Sequence, residues 1–514
     1  MGSFAVLYEK LHREFPEATA RGRAFEEICQ HYLRTHPAYQ KELKKVWLWD
    51  EWPDRWGPDT GIDLVARTHD GDLWAVQAKA WNPERTLPKH EVDSFLAASA
   101  RPEFSHRLLI STTRALSAHA AEECRRAEKS VAYQLWHDLA QASFSWPSTW
   151  PPETTSEPAE PLTPRDYQAT TIDKVVKGLA KGGRGQLNLP PGSGKTLVGL
   201  WSAEQLKAKR TLILLPSLTL VRQTLDVWAT HSTTDFRFLA VCSDATTADQ
   251  KDSWVVSAAE LGHRATTDPT DIAEFLKGTG RRVIFSTYQS SPRIAEAFKS
   301  TTLTSFDLVI ADEAHRCAGK SGPDFAAVLD EAKLPASRRL FMTATPRILT
   351  GRAKAQAVED KVEVASMDDE AVFGPVLHSM SFREAIERDI LSDYQVVVLG
   401  IDADMEPTYR QLLSTYTCQI CRVQLQASEG AYAEAAHIRP LGLGHNGPDK
   451  AENILCLCPN HHVQFDQGVL GIDNNYKLLG FAGELRMVTG HNPDPEHLAY
   501  HRSHIYNISE KTGT

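Results

Sequence analysis

The sequence predicts an α/β multidomain chain: a mixed α/β domain, a lobe built on a parallel sheet, and a small metal-held domain. Three observations carry that prediction. Apolar runs at 211–215, 238–241, 283–286, 308–311 and 340–343 are separated in places by helical stretches such as 204–209 and 218–228. Such alternation implies a mostly parallel sheet covered on both faces. A glycine-bearing loop, Pro190-Pro191-Gly192-Ser193-Gly194-Lys195-Thr196, follows the apolar Leu187-Asn188-Leu189. Four of the eight cysteines crowd between Cys418 and Cys458.

At 514 residues the chain has room for about three domains. Its 42% hydrophobic and 24% charged residues are those of an ordinary globular protein. No apolar run approaches the length of a membrane span, and Met1-Gly2-Ser3-Phe4-Ala5-Val6 lacks the basic start and apolar core of a signal peptide. A cytoplasmic protein with no membrane partner is expected. The net charge of −10 argues against a broadly basic nucleic-acid coat, yet leaves room for phosphate contact confined to a groove. Cys29, Cys124, Cys242 and Cys317 are scattered and read as small buried apolar residues. The other four point to metal rather than disulfides.

Residues 1–143 form the first expected domain. Helical periodicity at Phe4, Leu7, Tyr8 and Leu11, then at Phe25, Ile28, Cys29, Tyr32 and Leu33, precedes strand-like segments at 46–49, 62–66 and 73–79. Gly71-Asp72 marks a hairpin turn between the last two. Alternate side chains of a strand share a face, so Gln77 and Lys79 point the same way and Asp63 on the neighbouring strand can join them. A carboxylate to hold Mg²⁺ and a lysine to stabilise developing charge suit phosphodiester hydrolysis. The segment resembles the Mrr-like branch of the PD-(D/E)xK nucleases, a restriction-endonuclease-like α/β fold. That resemblance matches Glu26, Asp63, Gln77 and Lys79 to the catalytic positions, with Gln77 where most of the superfamily has a second carboxylate. Trp49-Asp50-Glu51-Trp52-Pro53 and Asp59-Thr60-Gly61-Ile62-Asp63-Leu64-Val65 are similar to the amino-terminal nuclease of type ISP restriction enzymes, in which a nuclease precedes a superfamily 2 motor, a methyltransferase and a target-recognition domain. The likeness covers residues 1 to about 400.

Proline-rich residues 144–161 read as a linker, with Trp146 and Trp150 available to dock on a neighbour. The next domain is expected over 162–400. The loop at Gly192, Ser193 and Gly194 can wrap backbone N–H groups around phosphates, Lys195 can reach the β and γ phosphates, and Thr196 can bind Mg²⁺. Leu308-Val309-Ile310-Ala311-Asp312-Glu313-Ala314-His315 ends an apolar run in two carboxylates, placing Asp312 near that ion and Glu313 near an attacking water. With Phe341-Met342-Thr343-Ala344-Thr345-Pro346-Arg347 and Leu162-Thr163-Pro164-Arg165-Asp166-Tyr167-Gln168, these segments resemble a superfamily 2 DEAH-type helicase and its RecA-like ATP-binding lobe. The resemblance makes Gln168 the adenine reader and Thr343-Ala344-Thr345 the coupling segment. It also assigns Leu215-Pro216-Ser217 and Ser286-Thr287-Tyr288 to strand phosphates. Residues 382–398 look like the entry to a second RecA-like lobe, but no arginine motif of such a lobe follows. An arginine finger is worth about 10³ to 10⁵ in rate, so slow ATP turnover by a monomer is expected.

The third expected domain covers 404–514. Cys418-Gln419-Ile420-Cys421 and Cys458-Pro459-Asn460-His461 offer two knuckles for a closed tetrahedral Zn²⁺ site, with Cys456 as an alternative ligand. Between and after them stand His437, Asn453, His462 and Asp466, the last one helical turn beyond His462. A strand-borne histidine, an asparagine and a helix-borne histidine form the ββα-metal arrangement of HNH nucleases. The segments around His437 and Leu455 resemble HNH domains often joined to modules that read modified cytosine. That resemblance makes His437 the general base, His462 a metal ligand with Asp466 assisting, and Asn453 an orienting group; Ala436 stands where many HNH enzymes carry Asp or His. His491, His497, His501 and His504 read as packing or surface residues.

The expected function is DNA cleavage of a restriction, anti-phage type with ATP, Mg²⁺ or Mn²⁺ and Zn²⁺ as cofactors. Double-stranded DNA is the expected partner, with self-association or another chain supplying a second motor lobe or target recognition. The alternative is a nucleotide-gated DNA-binding or regulatory remnant of a restriction motor.

Overall fold

The computed structural model describes residues 3–57, 61–142, 144–152, 161–244, 257–319, 327–350, 364–392, 417–427, 430–441, 445–488 and 491–506. The chain divides into two compact units, 1–393 and 394–514. Asp59 and Thr60 of the amino-terminal motif, and 393–398 of the expected second-lobe entry, lie outside the described residues.

The first unit opens with helices α1 (Phe4–Glu14), α2 (Ala18–Thr35) and α3 (Pro37–Glu42). Five strands follow: β1 (Leu43–Leu48), β2 (Leu64–Thr68), β3 (Leu73–Lys79), then, after α4 (Lys89–Ala98), β4 (Phe104–Ser111) and β5 (Val131–Gln134). They lie in the order β1-β2-β3-β4-β5, antiparallel through β3 and parallel beyond it. Period-2 alternation decides the packing. Val46, Leu48, Leu64, Ala66, Trp74 and Val76 face Phe25, Ile28 and Tyr32 of α2, while Trp47, Val65 and Ala75 pack with Trp49 and Phe95.

Helix α5 (Trp136–Gln141) leads to the segment expected as a linker, whose described part is packed. Trp146 is buried, stacks on Tyr32 at 4.9 Å and donates from Nε1 to the Leu139 carbonyl at 2.9 Å.

The lobe alternates helices and strands: α6 (Asp166–Leu179), β6 (Gly183–Asn188), α7 (Lys195–Gln205), β7 (Arg210–Leu215), α8 (Leu218–His231), β8 (Arg237–Val241), β9 (Ala265–Thr266), α9 (Pro269–Lys277), β10 (Arg282–Thr287), α10 (Ser291–Ser300), β11 (Leu308–Ala311), β12 (Arg338–Thr343), β13 (Val376–Ser379) and α11 (Phe382–Glu387). The stretch 204–209 is therefore not a helix of its own. Helix α7 ends at Gln205 and Lys207 adopts φ +53°, turning the chain into β7. The eight strands run in the order β9-β8-β10-β7-β11-β12-β6-β13, every pair parallel. Ile213, Leu215, Val283, Phe285 and Ile310 form one face with α6 to α8; Leu212, Leu214, Ile284, Val309 and Phe341 form the other with α9 and α10. One sheet of this kind is present among the described residues.

The mixed domain and the lobe meet across a buried seam. Ala38 of α3 is buried within the lobe's core. Tyr39 donates its hydroxyl to the Gly262 carbonyl at 2.7 Å, and Glu42 meets His263 at 2.6 Å, both almost wholly buried. Arg282 grips Asp70 with two hydrogen bonds at 2.6 and 2.9 Å, and Arg222 of α8 pairs with Asp138 of α5. A charge left unpaired there would cost several kcal/mol, about 3–5 where such pairs have been broken.

The second unit is smaller. β14 (Glu434–His437) pairs antiparallel with β15 (Ile454–Leu457), which leads into α12 (Pro459–Asp466); α13 (Pro495–His504) follows. Its core is one main cluster including Cys418, Ile438, Leu455, Leu457, Phe465 and Leu498, with a smaller one around Ile454 and Cys456. No helix among the described residues is long and apolar enough to cross a membrane.

Burial pushes His36 and His106 down to about 3, so both are neutral in the folded first unit. Below their unfolded value near 6.5 the unfolded chain binds protons that the folded one refuses. Stability contributed above pH 6.5 is therefore lost as pH falls toward 3, by about 1.4 kcal/mol per histidine per pH unit. His36 packs against Tyr32, Tyr39 and Phe144, so His36→Phe should keep that ring packing and flatten the acid limb of the melting temperature against pH. An unchanged slope between pH 6.5 and 3 would show that this histidine is not the titrating group.

Candidate functional sites

At the lobe, parallel strands bring their carboxyl ends to one edge, where ligands of open α/β sheets bind. β6 leads into the glycine-bearing loop, β11 into Asp312-Glu313 and β12 into Thr343-Ala344-Thr345. Gly192 and Gly194 take φ +77° and +78°, left-handed values that favour glycine. A Cβ on Gly194 would also stand 2.5 Å from Gln168 Nε2. Gln168 is buried, accepts from the Arg165 amide at 2.9 Å and donates to the Ser193 carbonyl at 3.1 Å, thereby holding the loop. Lys195 donates to the Leu189 carbonyl at 3.2 Å, and Thr196 follows it in the first turn of α7. Asp312 is raised to about 6, by burial first and by Glu313 next. His315 lies 3.3 Å from Glu313 and 3.0 Å from Thr343 Oγ1, joining the acidic pair to the end of β12.

At the amino-terminal site, Glu26 of α2, Asp63 at the entry to β2 and Lys79 at the end of β3 line one cleft of about 580 Å³. Asp63 accepts the Ala78 amide at 2.7 Å. Gln77 is not among the cleft's lining residues: it is buried, and its Nε2 donates to the Gly61 carbonyl at 3.1 Å. Its Oε1 is a buried acceptor without a hydrogen-bond partner. The two carboxylates that share the cleft, Glu26 and Asp63, fit a cation ligand set. Glu91 of α4, which periodicity did not single out, lies 3.1 Å from the Lys79 ammonium.

In the second unit, Cys418, Cys421, Cys458 and His461 place their ligand atoms within 4.8 Å of one another. Cys421 Sγ and Cys458 Sγ are 3.9 Å apart, and Cys458 Sγ and His461 Nδ1 are 3.1 Å apart. Tetrahedral Zn²⁺ with Zn–S bonds of 2.3 Å would separate two sulfurs by about 3.8 Å, so the donors fit that ion. Burial pushes the Cys418 thiol up, but backbone hydrogen bonds from Cys421, Cys458 and Ile420 outweigh it and the net shift is downward. Cys456 is not part of the group; it is buried on β15.

Beside this cluster, His437, His462 and Asp466 line a cleft of about 440 Å³. His437 Nε2 lies 3.0 Å from Asp449. His462 lies 2.8 Å from Glu434 through Nδ1 and 3.4 Å from Asp466 through Nε2. Burial raises Asp466, and His462 opposes that shift. Asn453 is buried away from the cleft: its Oδ1 accepts the Arg439 amide at 2.8 Å and its Nδ2 donates to the Arg439 and Pro448 carbonyls. Asp449 and Glu434 were not singled out in the sequence. The signal available was only a carboxylate within a loop's reach of each histidine.

In sequence, the parallel-sheet lobe stands between a mixed α/β domain with a carboxylate-and-lysine cleft and a small unit with a cysteine-histidine cluster. Residues 34–156 match a restriction endonuclease family, 161–348 the res subunit family of type III restriction enzymes, and 418–473 an HNH endonuclease family. Among solved structures, the ATP-dependent type ISP restriction-modification enzyme LlaBIII bound to DNA is similar at 30% identity and TM-score 0.64, covering 76% of this chain and 26% of that one. Probable helicase A859L of African swine fever virus is 29% identical over 251 residues, 48% of this chain and 25% of that protein. The EcoAI endonuclease subunit of a type I restriction enzyme from Escherichia coli is 26% identical over the same share. The chain thus spans about a quarter of the length of these relatives.

Removing a ligand should separate the two units. Cys418→Ser is expected to unfold the second unit, since structural zinc sites contribute about 10–16 kcal/mol of apparent binding energy in small domains, while ATP binding by the first persists. Near-ultraviolet dichroism and zinc content measure the outcome; a folded, zinc-free second unit would contradict the structural assignment.

Proposed function

We propose that this chain is a DNA endonuclease of restriction, anti-phage type that acts in the cytoplasm on double-stranded DNA and binds ATP at its parallel-sheet lobe. The observation that carries the reading is the cleft in which His437 and His462 stand together, each against a carboxylate. Asp449 holds the His437 proton on Nε2, which leaves Nδ1 to take a proton from an attacking water. Glu434 fixes His462 in the same way and turns Nε2 toward Asp466. His462 and Asp466 would hold Mg²⁺ or Mn²⁺, which when bound draws charge off the scissile phosphate. Asn453 orients the loop through Arg439 and Pro448.

At the amino-terminal site Glu26 and Asp63 would hold a second divalent ion, Gln77 would brace the strand entry through the Gly61 carbonyl, and Lys79 would stabilise the negative charge that develops on the phosphate. In the lobe, Lys195 and the amides of Gly192, Ser193 and Gly194 would cradle the phosphates, Thr196 and Asp312 would bind Mg²⁺, Gln168 would read adenine, and Glu313 would orient water. Zn²⁺ in the cysteine-histidine cluster would be structural. The likeness to an enzyme solved on DNA supports the choice of partner. A second copy or another chain would supply the further motor lobe or the target recognition.

Two experiments test this. Plasmid DNA with Mg²⁺ or Mn²⁺ and no ATP should be nicked or cut by the wild type and by Lys79→Ala, and left intact by His437→Ala. Activity that vanishes with Lys79→Ala yet survives His437→Ala would reverse the order of the two centres. For the lobe, Lys195→Ala should abolish ATP binding, while the monomeric wild type should hydrolyse ATP about 10³-fold or more below a lobe with an arginine finger. Fast DNA-stimulated turnover by a monomer would refute it.

A further inference from the structure

The cleft of the second unit contains a third histidine, His445, beside His437, His462 and Asp466. It differs from the other two in its partner. His437 and His462 each contact carboxylates, whereas His445 Nδ1 meets the Tyr500 hydroxyl at 3.1 Å. The ring is also held from behind. Arg439 donates from Nε to the His445 carbonyl at 2.6 Å and lays its guanidinium over the Tyr500 ring at 4.3 Å, and Tyr500 stacks on His504 at 4.0 Å. Three side chains from α13 and the loop after β14 thus fix one imidazole, leaving Nε2 as its remaining polar atom.

A carboxylate-paired imidazole is suited to take up a proton or to hold a cation. A hydroxyl that donates to Nδ1 instead places the ring proton on Nε2, making that atom a hydrogen-bond donor. The cleft needs one. Asp466 lines it, while Asp449 and Glu434 back its histidines, so an entering phosphodiester meets carboxylates at close range. A divalent ion offsets part of that repulsion; a fixed N–H donor offsets more of it as charge builds on the phosphoryl oxygens.

We propose that His445 is a further catalytic residue of this cleft, donating from Nε2 to a non-bridging oxygen of the scissile phosphate. The proposal rests on the reading of the cleft as a DNA-cleaving site. No bond to His445 forms or breaks: as water gives a proton to His437 its oxygen bonds to phosphorus, the bond from phosphorus to the leaving oxygen breaks, and that oxygen takes a proton from solvent, while His445 stabilises charge throughout.

The test uses the full-length protein, supercoiled plasmid and Mn²⁺, with kcat and KM measured separately. His445→Ala should lower kcat by about 10² to 10³, the loss found on removing one oxyanion donor, with KM changed less than about threefold. Glutamine can place an amide N–H where Nε2 stood, whereas asparagine reaches only as far as Nδ1. His445→Gln should therefore recover much of the rate and His445→Asn should not. A purely structural role predicts the opposite, because asparagine keeps the contact to Tyr500; recovery by Asn alone would overturn the proposal. If His437→Ala abolishes cleavage and His445→Ala does not slow it, the proposal falls and the cleft reading stands. If both variants cleave like wild type, both fall.

Discussion

The constraint on which the first unit depends is the burial of charge along the seam between the mixed domain and the lobe. Glu42 and His263 are 8% and 3% exposed, and their meeting at 2.6 Å leaves no place for bulk water. Removing either side chain alone would strand the other charge in a low-dielectric setting, at a cost well beyond that of the apolar area lost. Burial also raises Glu42 while His263 pulls it down, so its charge depends on contact with the lobe. Domain interfaces within a chain often permit relative motion by default. This one is closer to a continuous core, with Ala38 already inside the lobe's hydrophobic cluster.

The sheet edge shows how much sequence alone could specify. β7, β10 and β11 are buried on both faces and so read as unbroken apolar runs, and their carboxyl ends carry the motifs that the spacing located. The cysteine pairs were equally legible, because ligand spacing within each knuckle is local. The seam was not: Glu42 and His263 stand 221 positions apart, and each is unremarkable where it occurs. Nor were Asp449, Glu434 and Glu91, whose roles depend on loop paths that no periodicity encodes. Gln77 shows the same limit from the other side, since alternation gave its strand face but not that its amide would turn to the Gly61 carbonyl.

The second unit solves a different problem. Its described strands are two to four residues long, and its core is one modest cluster with a second of two buried residues, too little to fix a cleft by packing alone. Side-chain bonds substitute for area. Asn453 ties Arg439 and Pro448 into one loop, while the Cys418 segment is anchored to β15 by Gln419, whose side-chain oxygen accepts the Cys456 amide at 2.8 Å. The cluster and the cleft share helix α12, which carries His461 of the one and His462 and Asp466 of the other, so the same short stretch supplies both a scaffold and a reactive surface.

Helix α2 carries Glu26 near its middle and Tyr32 near its carboxyl end, where the chain turns through His36 into the helix packed on the lobe. Ten residues of helix span about 15 Å, a rod too short to bend far. In a mutational scan scored by the integrity of the Glu26 cleft, alleles at Tyr39 or Glu42 would register with those of its lining, although neither residue lines it. A map of such alleles would outline the seam as a second patch of sensitivity, remote from the chemistry and easily mistaken for a binding surface.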